Sequence, residues 1–472
     1  MEEDKPPSSL SDLVSNHESN FPQKNIGFVS TRFAGTDGVS LEASKWADVF
    51  EKSGHQPFWF AGELDRDPDK SYLVPEAHFT YKENKSINGI LFGTKNPRPR
   101  KITDQVYKLK ENIKNKLYDF LDKFNIDLLI PQNAMTIPVN VPLGLALAEI
   151  IQETNIPTIA HHHDFYWERE RFTLNCAKDY LSAAFPLRSN SNVMHVTINS
   201  NAQVSLASNL GISSTVIPNV LDYSSPPHIN TERASRFRES LDIKPDDYMV
   251  LLPLRVVPRK ALEVAVEIIA QLGDEKYNLV VSHEAGDEGF KYRDKVKNFA
   301  ARSNVKIHFV EAKLRNPWQD YGEDSDKSSY TLWDIYPNAD LVIIPSMYEG
   351  FGNAFLEAVY FKKPVVINRY QNFVTDIEPH GFNLITMDGF ADTAVAEKVY
   401  NIMESYQERE EMVNKNYSKA KKLFGYSVLR DSLNTILKHF YGTDFSVLTT
   451  PDVPSITRKT PDYVNSDVRK IA

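Results

Sequence analysis

Leu341-Val342-Ile343-Ile344-Pro345-Ser346-Met347-Tyr348-Glu349-Gly350-Phe351-Gly352-Asn353-Ala354-Phe355-Leu356-Glu357-Ala358 reads as a strand, a glycine turn and a helix in immediate succession. Four apolar residues in a row fit a strand covered on both faces. Gly350 and Gly352 let the backbone approach a ligand closely. The helix predicted over Asn353–Phe361 points its free N–H groups at the same spot, a favourable place for an oxygen-rich ligand. Glu349 precedes the turn, and Glu357 follows eight residues later, about two helical turns on. Carboxylates so placed can accept hydrogen bonds from two separate sets of hydroxyls. An ordinary turn with a surface glutamate would account for Glu357 alone, but not for the whole string.

The same rhythm recurs on either side. In the first half, strands are predicted over Ile26–Ser30, Asp127–Ile130, Thr158–Ala160, Val193–Ile198 and Thr215–Ile217, with helices over Val39–Lys52 and Pro142–Gln152. In the second half, strands over Met249–Leu252, Leu279–Val281, Val305–Val310 and Pro364–Ile367 join Leu341–Ile344. Helices are expected over Lys260–Leu272, near 290–302 and across most of 391–440. Strands alternating with helices give an α/β chain of two Rossmann-like, doubly wound domains. The 472 residues suit two cores. The expected division is a flexible leader over 1–22, a first domain over 23–221, a second over 222–424, a helix over about 425–442 returning to the first domain, and a tail over 443–472. The polar stretch 62–102 reads as an insertion or long loop with little helical pattern, and 222–247 as a connection.

Composition narrows the function. The formal net charge of -9 argues against a nucleic-acid partner, which calls for a basic face. The single cysteine, Cys176, rules out an intrachain disulfide and fits a cytoplasmic location. The acidic start Met1-Glu2-Glu3-Asp4 is unlike a signal peptide, and no run of 18 apolar residues suggests an integral membrane segment. An oligomer is compatible with the sequence.

Further clusters fall at or just after predicted strand ends. Arg255, Arg259 and Lys260 stand where a strand gives way to a helix; cations there oppose the helix dipole unless an anion joins them. Gly35-Thr36-Asp37-Gly38 is a glycine loop, equally readable as a tight turn capped by Asp37. His161-His162-His163-Asp164 suggests a metal at first sight. Neighbours on an extended chain point to opposite faces, however, and no further Cys/His cluster accompanies them, so no metal is expected. The run Phe165-Tyr166-Trp167-Glu168-Arg169 offers rings for stacking on a sugar or for core packing. Asn219, in Ile217-Pro218-Asn219-Val220, serves either a ligand or its own loop.

Taken together, these motifs resemble the retaining glycosyltransferases of family 4, which have the GT-B architecture of two facing Rossmann-like domains. The string 345–358 matches their two-glutamate signature. The resemblance implies that Glu349 holds donor-sugar hydroxyls and Glu357 the nucleotide ribose, with Gly350, Phe351, Gly352 and Asn353 offering amides to the sugar. It gives Arg255 and Lys260 to the departing diphosphate, although glycines flank that motif in the family and Leu254 and Ala261 stand here. Gly38 and Asn219 join the donor side. His163, with His162 as second match, lies by the donor sugar. Asp37, Asp164, Tyr166, Trp167 and Arg169 fall on the acceptor side. The segments 36–40 and 161–169 resemble the branch holding sucrose-phosphate synthase and mannosylglucosylglycerate synthase. The implied partners are a nucleotide-sugar, GDP-mannose or UDP-glucose, and a small polar acceptor such as a sugar phosphate or glucosylglycerate. No cofactor is implied. A nucleotide-sugar epimerase or hydrolase, or a non-catalytic sensor of the same fold, would carry the same architecture.

Overall fold

A computed structural model describes residues 23–35, 37–188, 191–224, 231–283, 291–310, 314–315 and 330–442. The first sheet is built from β1 (Asn25–Val29), β2 (Gln56–Ala61), β3 (Ser71–Leu73), β4 (Leu128–Pro131), β5 (Thr158–His162), β6 (Val193–Thr197) and β7 (Thr215–Val216). Its spatial order is β3-β2-β1-β4-β5-β6-β7, and every pairing is parallel. Two of its helices bear on the site: α1 (Gly38–Lys52) follows β1, and α2 (Ser200–Leu210) follows β6.

The second sheet takes β8 (Tyr248–Leu252), β9 (Tyr277–Val281), β10 (Lys306–Phe309), β13 (Leu341–Ile344), β14 (Val365–Asn368) and β15 (Ile385–Met387) in the order β10-β9-β8-β13-β14-β15. A separate short pair joins β11 (Leu314–Arg315) to β12 (Tyr330–Thr331). Here α3 (Leu262–Leu272) follows β8, α4 (Asn353–Tyr360) follows β13, and α5 (Gln371–Asp376) follows β14. In both sheets the chain winds outward from one central strand and then returns to its other side, between β1 and β4 and between β8 and β13. The crevice at such a switch, outside the carboxyl ends of the strands, is where ligands bind on open α/β sheets. The central strands β13 and β14 are buried throughout because helices cover both faces, which is why they are apolar without alternation.

The chain crosses between the domains twice, side by side. Leu221 N–H donates to the carbonyl of Phe424 at 2.9 Å, and Leu221 bridges Gly425 in parallel. After the second crossing, α6 (Tyr426–Tyr441) runs back across the first domain. Its residues Leu429, Leu433, Ile436 and Leu437 recur at helical spacing and enter the first domain's core among Phe28, Trp46, Ile130 and Val196. Side chains of α1 brace the crossing: Lys52 Nζ meets Asp222 at 2.6 Å, and Tyr426 donates its hydroxyl to Asp48 at 3.2 Å. The returning helix matches the expectation.

The structure corrects three sequence expectations. The stretch 62–102 is ordered: it supplies the edge strand β3 and the helix Lys82–Leu91. A long helix, Arg100–Phe124, follows it; this helix has no counterpart in the sequence reading, and it packs against the helix Val141–Thr154. The connection 222–247 contains a helix, Thr231–Glu239, while residues 225–230 lie outside the described residues. The helix expected from Lys260 begins at Leu262 instead. Pro258–Lys260 forms a single tight turn, and Ala261 takes a left-handed conformation, φ 48°, before α3 starts. The leader and tail fall outside the described residues. Among those residues, no helix is long and apolar enough to cross a membrane.

Candidate active site

Two loops of the second domain are knitted together at its switch point. Met347 N–H donates to the carbonyl of Arg259 at 2.9 Å, and the Arg259 guanidinium reaches the carbonyl of Tyr348 at 3.3 Å. Beneath these contacts, the Lys260 ammonium is in direct contact with the Glu349 carboxylate, both nearly buried. Burial holds the Lys260 pKa below its usual range, Glu349 pulls it upward, and Arg259 and Arg255 push it down. The anion beside Lys260 is therefore Glu349, and Arg259 and Lys260 close the tight turn that precedes Ala261, the N-cap of α3. Arg255 is exposed at the rim. His283, at the end of β9, is pushed down to about 4 by burial and by the charges of Lys260 and Arg255. No motif in the sequence points to it.

The turn into α4 is shaped by Tyr370. Its hydroxyl donates to the carbonyl of Phe351 at 2.9 Å. Gly352 has φ 116°, and a Cβ there would lie 2.2 Å from that hydroxyl. Glycine is thus required twice at this position, by conformation and by space. Among the described residues, no protein acceptor takes the N–H of Phe351, Gly352 or Asn353. The N-terminus of α4 therefore keeps its donors available at the cleft. One turn further on, Glu357 is half-buried and accepts the Tyr336 hydroxyl at 2.9 Å. Burial raises its pKa, while Tyr336 and the charge of Lys45 lower it.

The first domain faces this turn closely. A Cβ on Gly38 would lie 3.7 Å from Asn353 Nδ2, and Asn219 Nδ2 donates to Asn353 Oδ1 at 2.7 Å. The Oδ1 of Asn219 is buried and has no partner among the described residues. A Cβ on Gly350 would lie 3.6 Å from the carbonyl of His163. Gly38, Asn219, His163, Gly350 and Asn353 are thus brought together across the cleft. On α1, Lys45 pairs with Glu42 at 2.9 Å, both buried, and its charge bears on Glu357 and His163. This pair is missing from the sequence reading; two charges inside an apolar helical stripe were its signal.

The histidine run divides as alternation requires. His162 turns into the core, where its ring meets Thr136 Oγ1 at 2.7 Å and His195 Nδ1 at 2.9 Å. His161 and His163 share the acceptor Gln132 Oε1 at 2.9 and 3.1 Å. Burial lowers the pKa of His163 to about 4, so it is neutral near pH 7. Among the described residues, no group of three or more His, Cys, Asp or Glu is placed to hold a metal ion.

The residues expected on the acceptor side are tied into the first domain. Asp37 caps α1, accepting from Val39 N–H at 3.1 Å and from Ser40 N–H at 3.2 Å, and pairs with Arg32 at 3.3 Å. Asp164 accepts from Asn133 at 2.9 Å and is in contact with Arg169. Trp167 stacks on Phe165 and donates to Ser205 at 2.8 Å, so its ring belongs to a small apolar cluster on α2. Tyr166 meets it edge-on.

Two Rossmann-like domains facing a cleft, with a helix returning to the first, define the GT-B architecture. Residues 234–419 match the family described as Glycosyl transferases group 1. The mannosylglucosylglycerate synthase of Petrotoga mobilis is 29% identical over 388 residues, 78% of this chain and 87% of that protein. The mannosylglucosylglycerate synthase of Thermotoga maritima is 30% identical over 383 residues, 77% of this chain and 84% of that protein. The chain belongs to the group 1 glycosyltransferases. Its fold is also that of the sucrose-phosphate synthase from Thermosynechococcus elongatus: TM-score 0.61 at 14% identity, covering 89% of this chain and 99% of the other.

Proposed function

We propose that this glycosyltransferase moves a hexose from a nucleotide-sugar to a small polar acceptor, with retention of anomeric configuration and without a metal ion. The observation that carries this reading is the buried Lys260–Glu349 pair at the β8/β13 switch point, set directly before the unpaired N–H groups of α4. In the unliganded cleft the two residues satisfy each other. A bound nucleotide-sugar offers each a new partner: the diphosphate takes Lys260 with Arg255, and sugar hydroxyls take Glu349. Cations held at the leaving group stabilise the charge that grows there as the glycosidic bond breaks. The nucleotide ribose reaches Glu357, whose carboxylate the Tyr336 hydroxyl orients. Asn219 Oδ1 and the amides of Phe351, Gly352 and Asn353 complete the sugar's contacts.

The His163 carbonyl faces Gly350, beside the proposed sugar site. A histidine held neutral at working pH positions the sugar and does not act as its acid. In this reading the leaving phosphate accepts the acceptor's proton on the face from which it departs. The protein's contribution is then placement and charge stabilisation.

The similarity to two mannosylglucosylglycerate synthases favours GDP-mannose as donor and glucosylglycerate as acceptor. The test pairs GDP-mannose and UDP-glucose with glucosylglycerate and fructose 6-phosphate, each with and without EDTA. Proton NMR then reads the product's anomeric configuration. Acceptor-dependent nucleotide release, unchanged by EDTA and giving an α-linked product, is expected. Release without acceptor, or release abolished by EDTA, would overturn the reading.

A further inference from the structure

Beside the contacts of Gly38 and Asn219 with Asn353, a second contact joins the domains. The N-terminus of α2 meets α5, which follows β14. Asn199 caps α2, its Oδ1 accepting from Ala202 N–H at 2.7 Å, and its Nδ2 donates across the cleft to the carbonyl of Gly350 at 2.7 Å. Ser200 N–H donates to Asp376 at 2.8 Å, so a carboxylate of the second domain caps a helix of the first. Asn201 donates to Asn372 Oδ1 at 2.7 Å and to Thr375 at 3.1 Å. Asn372 in turn donates to the carbonyls of Glu349 and Gly350 at 2.7 and 2.9 Å. Asn199 and Asn372 are both buried.

We propose that Asn199 and Asn372 are positioning residues that fix the Glu349–Gly350 peptide when the domains close, and that Asp376 on the α2 terminus latches that closed state. Asn372 grips the peptide from its own domain. Asn199 grips the same Gly350 carbonyl from the other domain, and Asn201 orients Asn372. The side chain of Glu349 is therefore held by its own domain through Asn372 and Lys260, and docking of the first domain adds the grip of Asn199 that completes its aim. Chained hydrogen bonds of this kind polarise one another and act as a unit. The assignment rests on the donor-site reading above for its catalytic consequence, but not for the closure itself.

Asn199→Ser separates capping from gripping. Serine caps a helix as well as asparagine does, but it is too short to reach Gly350. Asn372→Asp keeps the acceptor for Asn201 and loses the donor to both carbonyls. Asn199→Ser should lower kcat roughly tenfold, the loss that one neutral hydrogen bond is worth, and Asn372→Asp, which loses two bonds and sets a carboxylate against two carbonyls, should lower it further. KM for the nucleotide-sugar should change less, and nucleotide release without acceptor should rise relative to transfer. Small-angle scattering of the unliganded protein supplies a readout independent of the reaction: Asp376→Ala and Asn199→Ser should enlarge the radius of gyration at unchanged melting temperature. An unchanged radius in both variants overturns the latch. An unchanged kcat and release ratio in both asparagine variants overturns the positioning role. Scattering that opens as expected while the wild type transfers no sugar would place the failure in the donor-site reading instead.

Discussion

Replacing Glu349 by glutamine should do two separable things. It removes a proposed sugar contact, and it strands Lys260, whose side chain is only 8% exposed. Breaking a buried ion pair by removing one partner costs about 3–5 kcal/mol, because the remaining charge stays desolvated. For a domain of this size each kcal/mol moves the melting temperature by roughly 2–4 °C, so a drop on the order of 6–20 °C is expected. Lys260→Met should cost a similar amount by stranding the carboxylate. Lys260→Met combined with Glu349→Gln leaves no buried charge and should regain most of that stability while remaining inactive. The pH dependence carries a definite sign. Burial depresses the Lys260 pKa, so the folded state binds fewer protons than the unfolded state between the depressed value and about 10.5, and stability rises with pH across that window. Without Glu349 the lower edge of the window moves down. Unfolding free energy in Glu349→Gln should therefore climb over a wider pH range below about 10.5 than in wild type. Urea unfolding of the four proteins at several pH values measures both effects. Additive losses, with the double variant as unstable as the sum of the singles, would refute the coupling.

Ala261→Gly should stabilise the protein by about 0.5–1 kcal/mol in chemical unfolding: the left-handed φ of 48° strains alanine, and the gain is partly offset by glycine's unfolded-state entropy. Gly352→Ala should destabilise by about 1–3 kcal/mol through its φ of 116°, with a further steric loss that Tyr370→Phe relieves in the double variant. Tyr336→Phe removes a hydroxyl that holds the Glu357 pKa down, so the acid limb of nucleotide-sugar binding should move to higher pH in a calorimetric titration. Leu433→Ala should cost about 2–5 kcal/mol in the first domain, read by hydrogen exchange in β1 and β4.

The sequence carried the parts of this molecule whose cause is local. Apolar runs such as Leu341–Ile344 are strands because helices cover both faces, and the glycine turn at 350–352 announces itself by composition. The helix Arg100–Phe124 was equally readable: Ile102, Val106, Leu109, Ile113, Leu117, Phe120 and Phe124 form a stripe at spacings of three and four. What hid it was polarity, since lysines and acids fill the solvent side and lower the mean hydropathy. The helix Lys82–Leu91 buries only Asn84, Ile87 and Leu91, too sparse a pattern to stand out. The site divides in the same way. Glu349, Lys260 and Glu357 belong to motifs that can be read along the chain. The contact between Lys260 and Glu349 spans 89 residues, and the reach of Asn199 to Gly350 spans 151. Such pairings are products of topology and leave no mark on either segment alone. The dipole argument for Lys260 misplaced the helix start because Pro258 and Ala261 insert a tight turn that no hydrophobic period reveals.

The returning helix also sets an order of assembly during synthesis. Residues 426–441 supply four core side chains to a domain whose strands end at Val216, with an entire second domain translated in between. On the ribosome the first domain must therefore wait with an open apolar groove, while the second can finish its core from nearly contiguous chain. The first domain to emerge is thus the last to be completed. A nascent chain halted before residue 426 should be held by chaperones at that groove, and a separately supplied peptide spanning α6 should close it.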